Sequence, residues 1–322
     1  MTVKPVDAKL AVVIPTLNGG KRFELVLDQW LKQEDVGPID ICCPDSGSQD
    51  GTIDLLRQSG VRTLPIAPKQ FNHGETRNRA VATTKAEFII LSVQDALPLS
   101  AHLARTLIEP LKKDSALSAT YGRQVPLPDC HPLLVERIGS WAGDEASRVQ
   151  EIKKGQWEKL SPAERHKTIR YDHVIAAIRR SAWEAQRFES VPFGEDVAWA
   201  KRIICNGGKI AFVPGAAVEH SHNRSAWDEA RRIYCDHAHL HQLIGLVTIP
   251  RRKNLRANIR HARTHYQELI EASKNTDAVT KKRWSEWADA LARYENWAQF
   301  LGAHYSHRWW FSPVDRWLRH GI

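Results

Sequence analysis

Between residues 10 and 93, short and continuously apolar runs alternate with stretches of helical spacing. This alternation narrows the choice of fold more than any other feature of the chain. Leu10-Ala11-Val12-Val13-Ile14, ending at Pro15, has the pattern of a strand buried on both faces. Phe23, Val26, Leu27, Trp30 and Leu31 then recur at helical intervals. Ile39–Cys43 is the next strand, a short helix follows around Ile53–Arg57, and Val61–Ile66 is a third strand. Glu75–Thr84 is helical and Phe88–Val93 is a fourth strand. Strand and helix at this spacing predict a mostly parallel sheet with helices on both faces. Further along, residues 100–112 and Val197–Asn206 are expected to be helices, and Val174–Ile178 and Lys209–Pro214 strands. From Tyr121 to about residue 170 no period holds, and an irregular insertion of substrate loops is expected there.

The loops at Thr16–Gly20, Asp45–Asp50 and Ser92–Pro98 each follow a strand. In an open parallel sheet such loops face one crevice, where ligands bind. Neither glycine-bearing loop fits GxGxxG or GxxxxGK[ST], which excludes a dinucleotide fold and a P-loop NTPase. On its own, Asp95 reads as a turn aspartate bonded to nearby backbone.

The net charge of +9 points to an anionic partner, but spread over 322 residues it is too weak to argue for nucleic acid. Five cysteines without a CxxC pair fit a reducing compartment. Neither a signal peptide nor an apolar run long enough to cross a bilayer is present. The expected location is therefore cytoplasmic, with peripheral contact at the inner face of the membrane as an added expectation. The charge is uneven. Residues 226–322 hold 16 Lys/Arg against 10 Asp/Glu, and seven of the twelve tryptophans. A boundary is placed there: 1–225 as one domain, and 226–322 as a helical region begun by Ser225 with Asp228 in a capping box. Trp284, Trp287, Leu291, Tyr294, Trp297 and Leu301 form a stripe expected to pack on neighbouring helices. Residues 304–322 are short, aromatic and basic, which suits a membrane interface or a contact within a homo-oligomer. His237, His239 and His241 are expected at the surface, since only the first and last share a helix face.

Several short pieces come in one order: Val13-Ile14-Pro15-Thr16-Leu17-Asn18, Asp45-Ser46-Gly47-Ser48-Gln49-Asp50-Gly51-Thr52, Thr76-Arg77-Asn78-Arg79-Ala80, Gln94-Asp95-Ala96, Tyr121-Gly122-Arg123-Gln124, Gly194-Glu195-Asp196 and His220-Ser221-His222. Together they resemble the inverting glycosyltransferases of family 2, and within it the bacterial rhamnosyltransferase branch. The likeness covers residues 10–225. It implies an α/β GT-A fold, with a helical C-terminal extension beyond it.

The resemblance also implies roles. Pro15, Thr16, Asn18 and Asp45 would hold the base and ribose of a nucleotide sugar, with a carboxylate suited to accept from an imide N–H or ribose hydroxyls. Arg77 would lie near the nucleotide or its diphosphate. Gln94 and Asp95 stand at the family's DxD position, so Asp95 would hold a divalent cation, Mg²⁺ or Mn²⁺, against the leaving diphosphate. The chain departs from DxD by offering only one carboxylate there. His222 is the first candidate for a further ligand, with His220 behind it. Asp196 would take the proton from the acceptor hydroxyl, assisted or oriented by Glu195. The expected activity is transfer of a sugar, L-rhamnose from dTDP-rhamnose, to a polysaccharide or lipid-linked glycan. The alternatives are another donor such as a UDP-hexose, or a non-catalytic nucleotide-sugar-binding protein.

Overall fold

A computed structural model describes residues 6–142, 146–274 and 276–321. The chain divides into two compact units. The first holds the residues through Leu127, with Ile138–Lys159 and Thr168–His220, and the second holds Pro128–Arg137, Leu160–Lys167 and Ser221–Ile322.

The first unit is built on a sheet whose strands are β1 (Leu10–Val13), β2 (Ile39–Asp45), β3 (Arg62–Pro65), β4 (Phe88–Ser92), β5 (Leu97–Pro98), β6 (Leu117–Val125), β7 (Arg148–Gln150), β8 (Ile175–Arg179) and β9 (Lys209–Glu219). Their order is β3-β2-β1-β4-β8-β6-β9-β5, with β7 beside β9. From β3 to β4 every pairing is parallel. β8 is antiparallel to both neighbours, and β6 pairs with β9 in parallel. All four residues of β1 are buried. This agrees with the unbroken apolar run, because helices α1 (Gly20–Leu31), α2 (Thr52–Gln58), α3 (His73–Ala82) and α4 (Leu103–Lys113) separate the early strands. Phe23, Val26, Leu27 and Trp30 are the buried face of α1.

Residues 121–125 are not the start of an irregular insertion; they are the second half of β6. The small and polar residues of β6 hide its strand character, and so does its contact with β9. Gly122 lies so close to β9 that a Cβ there would sit 2.1 Å from the Ala216 carbonyl. β9 also runs past the expected stop at Pro214. Its pairing jumps from Val213↔Gly122 to Ala217↔Arg123, so Pro214, Gly215 and Ala216 bulge out of the ladder. A proline is tolerated at a bulge because no ladder bond is asked of its nitrogen. The resumed pairing delivers Glu219 and His220 to the end of β6, where His220 N–H donates to the Val125 carbonyl at 2.8 Å. Helices α5 (Pro132–Ala142), α6 (Pro162–Thr168), α7 (Arg180–Ala185) and α8 (Glu195–Cys205) follow α4 along the chain.

The second unit is helical. It contains α9 (Ala226–Ile244), α10 (Leu255–Ala272), α11 (Ala278–Tyr305) and α12 (Ser312–Arg319). Ser225 caps α9 as expected, accepting from Asp228 N–H at 3.1 Å. The tryptophan stripe packs only in part: Leu291 is buried, Trp284 and Trp287 are half-buried against His131, and the expected packing fails at Tyr294 and Trp297. Ala288, Leu291, Ala292, Ala298, Gly302 and Ala303 are buried, while Tyr294 and Trp297 are exposed. Small residues let the backbones of α9 and α11 approach, and a Cβ at Gly302 would meet the Tyr234 carbonyl at 2.8 Å. His237, His239 and His241 are half-buried on α9 rather than at its surface. No described helix is long and apolar enough to cross a membrane.

Candidate active site

β1 lies between β2 and β4, so the loops that leave these three strands meet at one edge of the sheet. Their side chains lock them together. Asp45 is 3 % exposed and accepts from four donors: Thr16 Oγ1 at 2.8 Å, the N–H groups of Gly47 and Ser48 at 2.9 Å each, and Ser48 Oγ at 2.6 Å. Asn18 sits in the left-handed region at φ 48°. Its side-chain oxygen accepts from Gln49 N–H at 2.8 Å, and its own N–H donates to Ser48 Oγ at 2.8 Å. Gln94 pairs with Leu17 as a strand neighbour would: Leu17 N–H donates to Oε1 at 2.8 Å, and Nε2 donates to the Leu17 carbonyl at 3.1 Å. Asp45, Asn18 and Gln94 thus set the shape of these loops.

The loops enclose a cavity of about 290 Å³ lined by Pro15, Thr16, Leu17, Ser46, Pro68, Phe71, His73, Arg77, Val93 and Gln94. It is largely apolar, with Arg77 as its charged wall. Pro15, Thr16, Arg77 and Gln94 therefore stand at this cavity, while the Asp45 and Asn18 side chains tie the two loops to each other and do not line it.

Arg77 also reaches the second feature. Its Nη1 donates to Glu195 Oε1 at 2.6 Å, and both side chains are buried. Its Nε is buried without a hydrogen-bond partner. Helix α3 makes this meeting possible, because its first turns clamp the chain ahead of α8. Asn72 Nδ2 donates to the Val191 carbonyl at 2.8 Å, and Asn78 bonds both the N–H and the carbonyl of Phe188. A Cβ at Gly74 would sit 2.2 Å from the Glu189 carbonyl, so only glycine permits this approach. Gly194, at φ 74°, then turns the chain into α8, whose first two residues are Glu195 and Asp196.

The two carboxylates have opposite surroundings. Burial works against ionised Glu195, but the Arg77 guanidinium and His173 outweigh it and hold Glu195 well below the usual carboxylate range. Burial, then the ionised Glu195, push Asp196 up to about 8, even though Val197 N–H donates to Asp196 Oδ1 at 2.7 Å. His173 lies with Nδ1 3.3 Å from Glu195 Oε1, and burial lowers its pKa to about 4, so it is neutral. Side-chain atoms of His173, Glu195 and Asp196 come within 4.8 Å of one another. The guanidinium already paired to Glu195 disfavours a metal there; the arrangement suits proton transfer. Two carboxylates with pKa values forced apart divide into a fixed anion and a group able to gain or lose a proton near neutrality.

The third feature surrounds Asp95, which is half-buried. Its carbonyl accepts from Arg22 Nε at 3.1 Å, and Arg22 also pairs with Glu219 at 2.9 Å. His220 Nε2 lies 3.5 Å from Asp95 Oδ1. The other ring nitrogen, Nδ1, faces Gln124 Oε1 at 2.9 Å. Gln124 in turn donates through Nε2 to Asp172 Oδ2 at 3.1 Å, and Trp141 Nε1 donates to the same oxygen at 3.0 Å. Because the Gln124 amide nitrogen points at a carboxylate, its oxygen points at His220 and can only accept. His220 Nδ1 therefore carries a hydrogen, which leaves Nε2, on the Asp95 side, as the ring nitrogen available to a cation. A carboxylate oxygen and an imidazole nitrogen at this separation are a donor set that fits a divalent cation. A carboxylate–amide chain behind the histidine is the usual support for a metal-binding ring. His222 falls two residues beyond His220, in the second unit, and is half-buried.

The family motifs pointed to Asp95, Arg77, Glu195 and Asp196, but not to Asp172, His173 or the role of Gln124. Tyr171-Asp172-His173 lies between the stretch without a period and β8. A neighbouring carboxylate and histidine were its only visible signal.

Comparison with known proteins identifies the family and the fold. The family model for glycosyl transferase family 2 matches residues 11–186. The O-antigen chain rhamnosyltransferase RfbN of Salmonella typhimurium is 34% identical over 230 residues, 70% of each chain. The O-antigen chain rhamnosyltransferase WbaN of Salmonella anatum is 31% identical over 227 residues, 69% of each chain. Among solved structures, glucosyl-3-phosphoglycerate synthase from Mycobacterium tuberculosis, in complex with Mn²⁺, uridine diphosphate and glucosyl-3-phosphoglycerate, superposes with a TM-score of 0.53 at 17% identity, covering 74% of this chain and 81% of that one. That likeness shows the GT-A fold. The chain belongs to glycosyltransferase family 2, with the rhamnosyltransferase branch of that family as its place within it.

Proposed function

We propose that this glycosyltransferase is metal-dependent and inverting, and that it moves L-rhamnose from dTDP-rhamnose onto a polysaccharide or lipid-linked glycan. The observation that carries the reading is the split pair at the start of α8: Asp196 is raised into the neutral range beside Glu195, which is fixed as an anion by Arg77. A carboxylate tuned this way can take the proton of an acceptor hydroxyl as that oxygen attacks the anomeric carbon. Glu195 orients the site and raises the basicity of Asp196 without taking part in the displacement. The cavity walled by Arg77 and Gln94 would take the nucleotide, with the Arg77 guanidinium turned toward the diphosphate. The stated activity of the two Salmonella relatives supports rhamnose as the sugar. All five cysteines are free, which supports a reducing, cytoplasmic setting.

Asp95 and His220 would hold the cation, with His222 as a further ligand. An imidazole in the donor set favours Mn²⁺ over Mg²⁺, which prefers oxygen. When bound, the cation would neutralise the departing diphosphate. Gln124 then acts as a positioning residue. Gln124→Leu removes the acceptor that fixes the His220 tautomer, and should weaken Mn²⁺ binding roughly 10–100-fold with the fold retained. Titration of Mn²⁺ by electron paramagnetic resonance checks this, and an unchanged affinity would refute the role.

The donor is tested with a panel of dTDP-, UDP- and GDP-sugars, scored for thermal stabilisation and for hydrolysis with Mn²⁺ present. dTDP-rhamnose should stabilise the protein most and be turned over. Turnover of a UDP-hexose in its place would replace the donor, and stabilisation without turnover of any sugar would favour a binding protein.

A further inference from the structure

The C-terminal segment leaves its largest side chains in solvent. Trp309 is 87 % exposed, Trp317 61 %, Trp310 54 % and Val314 40 %. This is not a helix without a seat. α12 docks on α9 within the second unit: Leu318 is buried, Tyr234 donates to Asp315 at 2.5 Å, and Arg231 Nε donates to the Leu318 carbonyl at 2.9 Å. Docking through Asp315 and Leu318 leaves Val314 and Trp317, three residues apart, on a shared outward face. Trp317 continues inward through Trp227, at 5.3 Å between ring centres, to Tyr294 at 5.6 Å. Both of those rings are also partly exposed.

Charge accompanies the rings. Arg308 and Arg316 are exposed beside them, and the one acid of residues 304–320, Asp315, is held by Arg319 at 2.8 Å and by Tyr234. Within residues 304–320 the exposed side chains are therefore aromatic and cationic, with the one acid already paired. Indole rings partition to the boundary between water and hydrocarbon, where their N–H stays wet and their faces do not. Arginines flanking them complement anionic headgroups, and their stems can lie along apolar surface. α12 has eight residues, so it can rest in a headgroup layer but cannot span one.

We propose that the face formed by Trp309, Trp310, Val314 and Trp317, with Arg308 and Arg316, is a peripheral docking surface for an anionic lipid bilayer. This stands independently of the donor and of the catalytic roles above.

The test is co-sedimentation of the full chain with phosphatidylglycerol-containing vesicles and with pure phosphatidylcholine vesicles. Binding should be strong to the first, weak to the second, and reduced by salt. Arg308→Ala with Arg316→Ala should weaken binding to the anionic vesicles roughly tenfold or more. Trp309→Ser with Trp317→Ser should weaken it by a similar factor or more. Trp309→Ser alone serves if the double variant fails to fold, since Trp309 is almost fully exposed. Sedimentation equally weak with both vesicle types overturns the proposal. A dimer in solution that Trp309→Ser dissociates overturns it too, by showing a second copy as the occupant.

Discussion

Asp196→Asn is expected to cut transfer roughly 10²–10⁴-fold, the usual worth of a positioned general base, while donor affinity changes little. The amide keeps the size of the carboxylate but cannot take the acceptor proton. The pH dependence sharpens this expectation. A general base works only when ionised, so with Asp196 in that role wild-type kcat/KM should rise with pH until the group has lost its proton. That rise should lie well above the ordinary carboxylate range, because burial and Glu195 raise Asp196. Asp196→Asn should lose this limb and leave a flat residual rate.

Stability carries the same signature with the opposite sign. The folded pKa of Asp196 is raised above the unfolded value near 3.8, so the folded state holds its proton more tightly. The favourable contribution is fully present below the unfolded pKa and is lost as pH rises through the folded one. Asn does not titrate. Asp196→Asn should therefore gain thermal stability relative to wild type as pH is raised from about 4 to about 9. Thermal melts across that range check it, and a difference independent of pH would contradict the raised pKa.

Asp95→Ala should lower transfer about 10²–10³-fold, as removal of one electrostatic partner of a transition state does. It should also weaken Mn²⁺ binding, and it should leave the Asp196 pH limb in place. Chelation should produce the same loss in the wild type, restored by added Mn²⁺. The fold is expected to survive, because the backbone carbonyl of residue 95 still accepts from Arg22, and the loop is held separately by Gln94 on Leu17. Activity that persists in chelator would remove the metal from the account, and with it the reason for the His220 ring to be fixed by Gln124.

The sequence disclosed different parts of this site to different degrees. β1 to β4 were legible because a parallel strand covered on both faces must be apolar throughout, and Leu10–Ile14 and Phe88–Leu91 are. The same rule fails at β6, where Ser118, Thr120, Gly122 and Gln124 interrupt the pattern. Gly122 is there for close approach to β9, and Gln124 for a hydrogen bond to a histidine 96 residues away. Neither purpose leaves a periodic mark. α11 misled for a related reason. Trp284 and Trp287 do pack, on His131, but further along the helix close packing selected alanine and glycine, and Tyr294 and Trp297 were left outward. In the site, the carboxylates at Asp95 and Asp196 stood in recognisable motifs. The residues that set their chemistry, Arg77 on Glu195 and Gln124 behind His220, act across 118 and 96 positions of chain. Only the folded arrangement joins them.

The proposed reaction is a single displacement in which Asp196 deprotonates the acceptor while the diphosphate leaves. Its most direct test is the anomeric configuration of the product formed from dTDP-rhamnose, read by nuclear magnetic resonance from the one-bond carbon–hydrogen coupling at the anomeric carbon. A single displacement predicts a configuration opposite to that of the donor. A product that retains the donor's configuration would require two displacements or a front-face route, and would contradict the role assigned to Asp196.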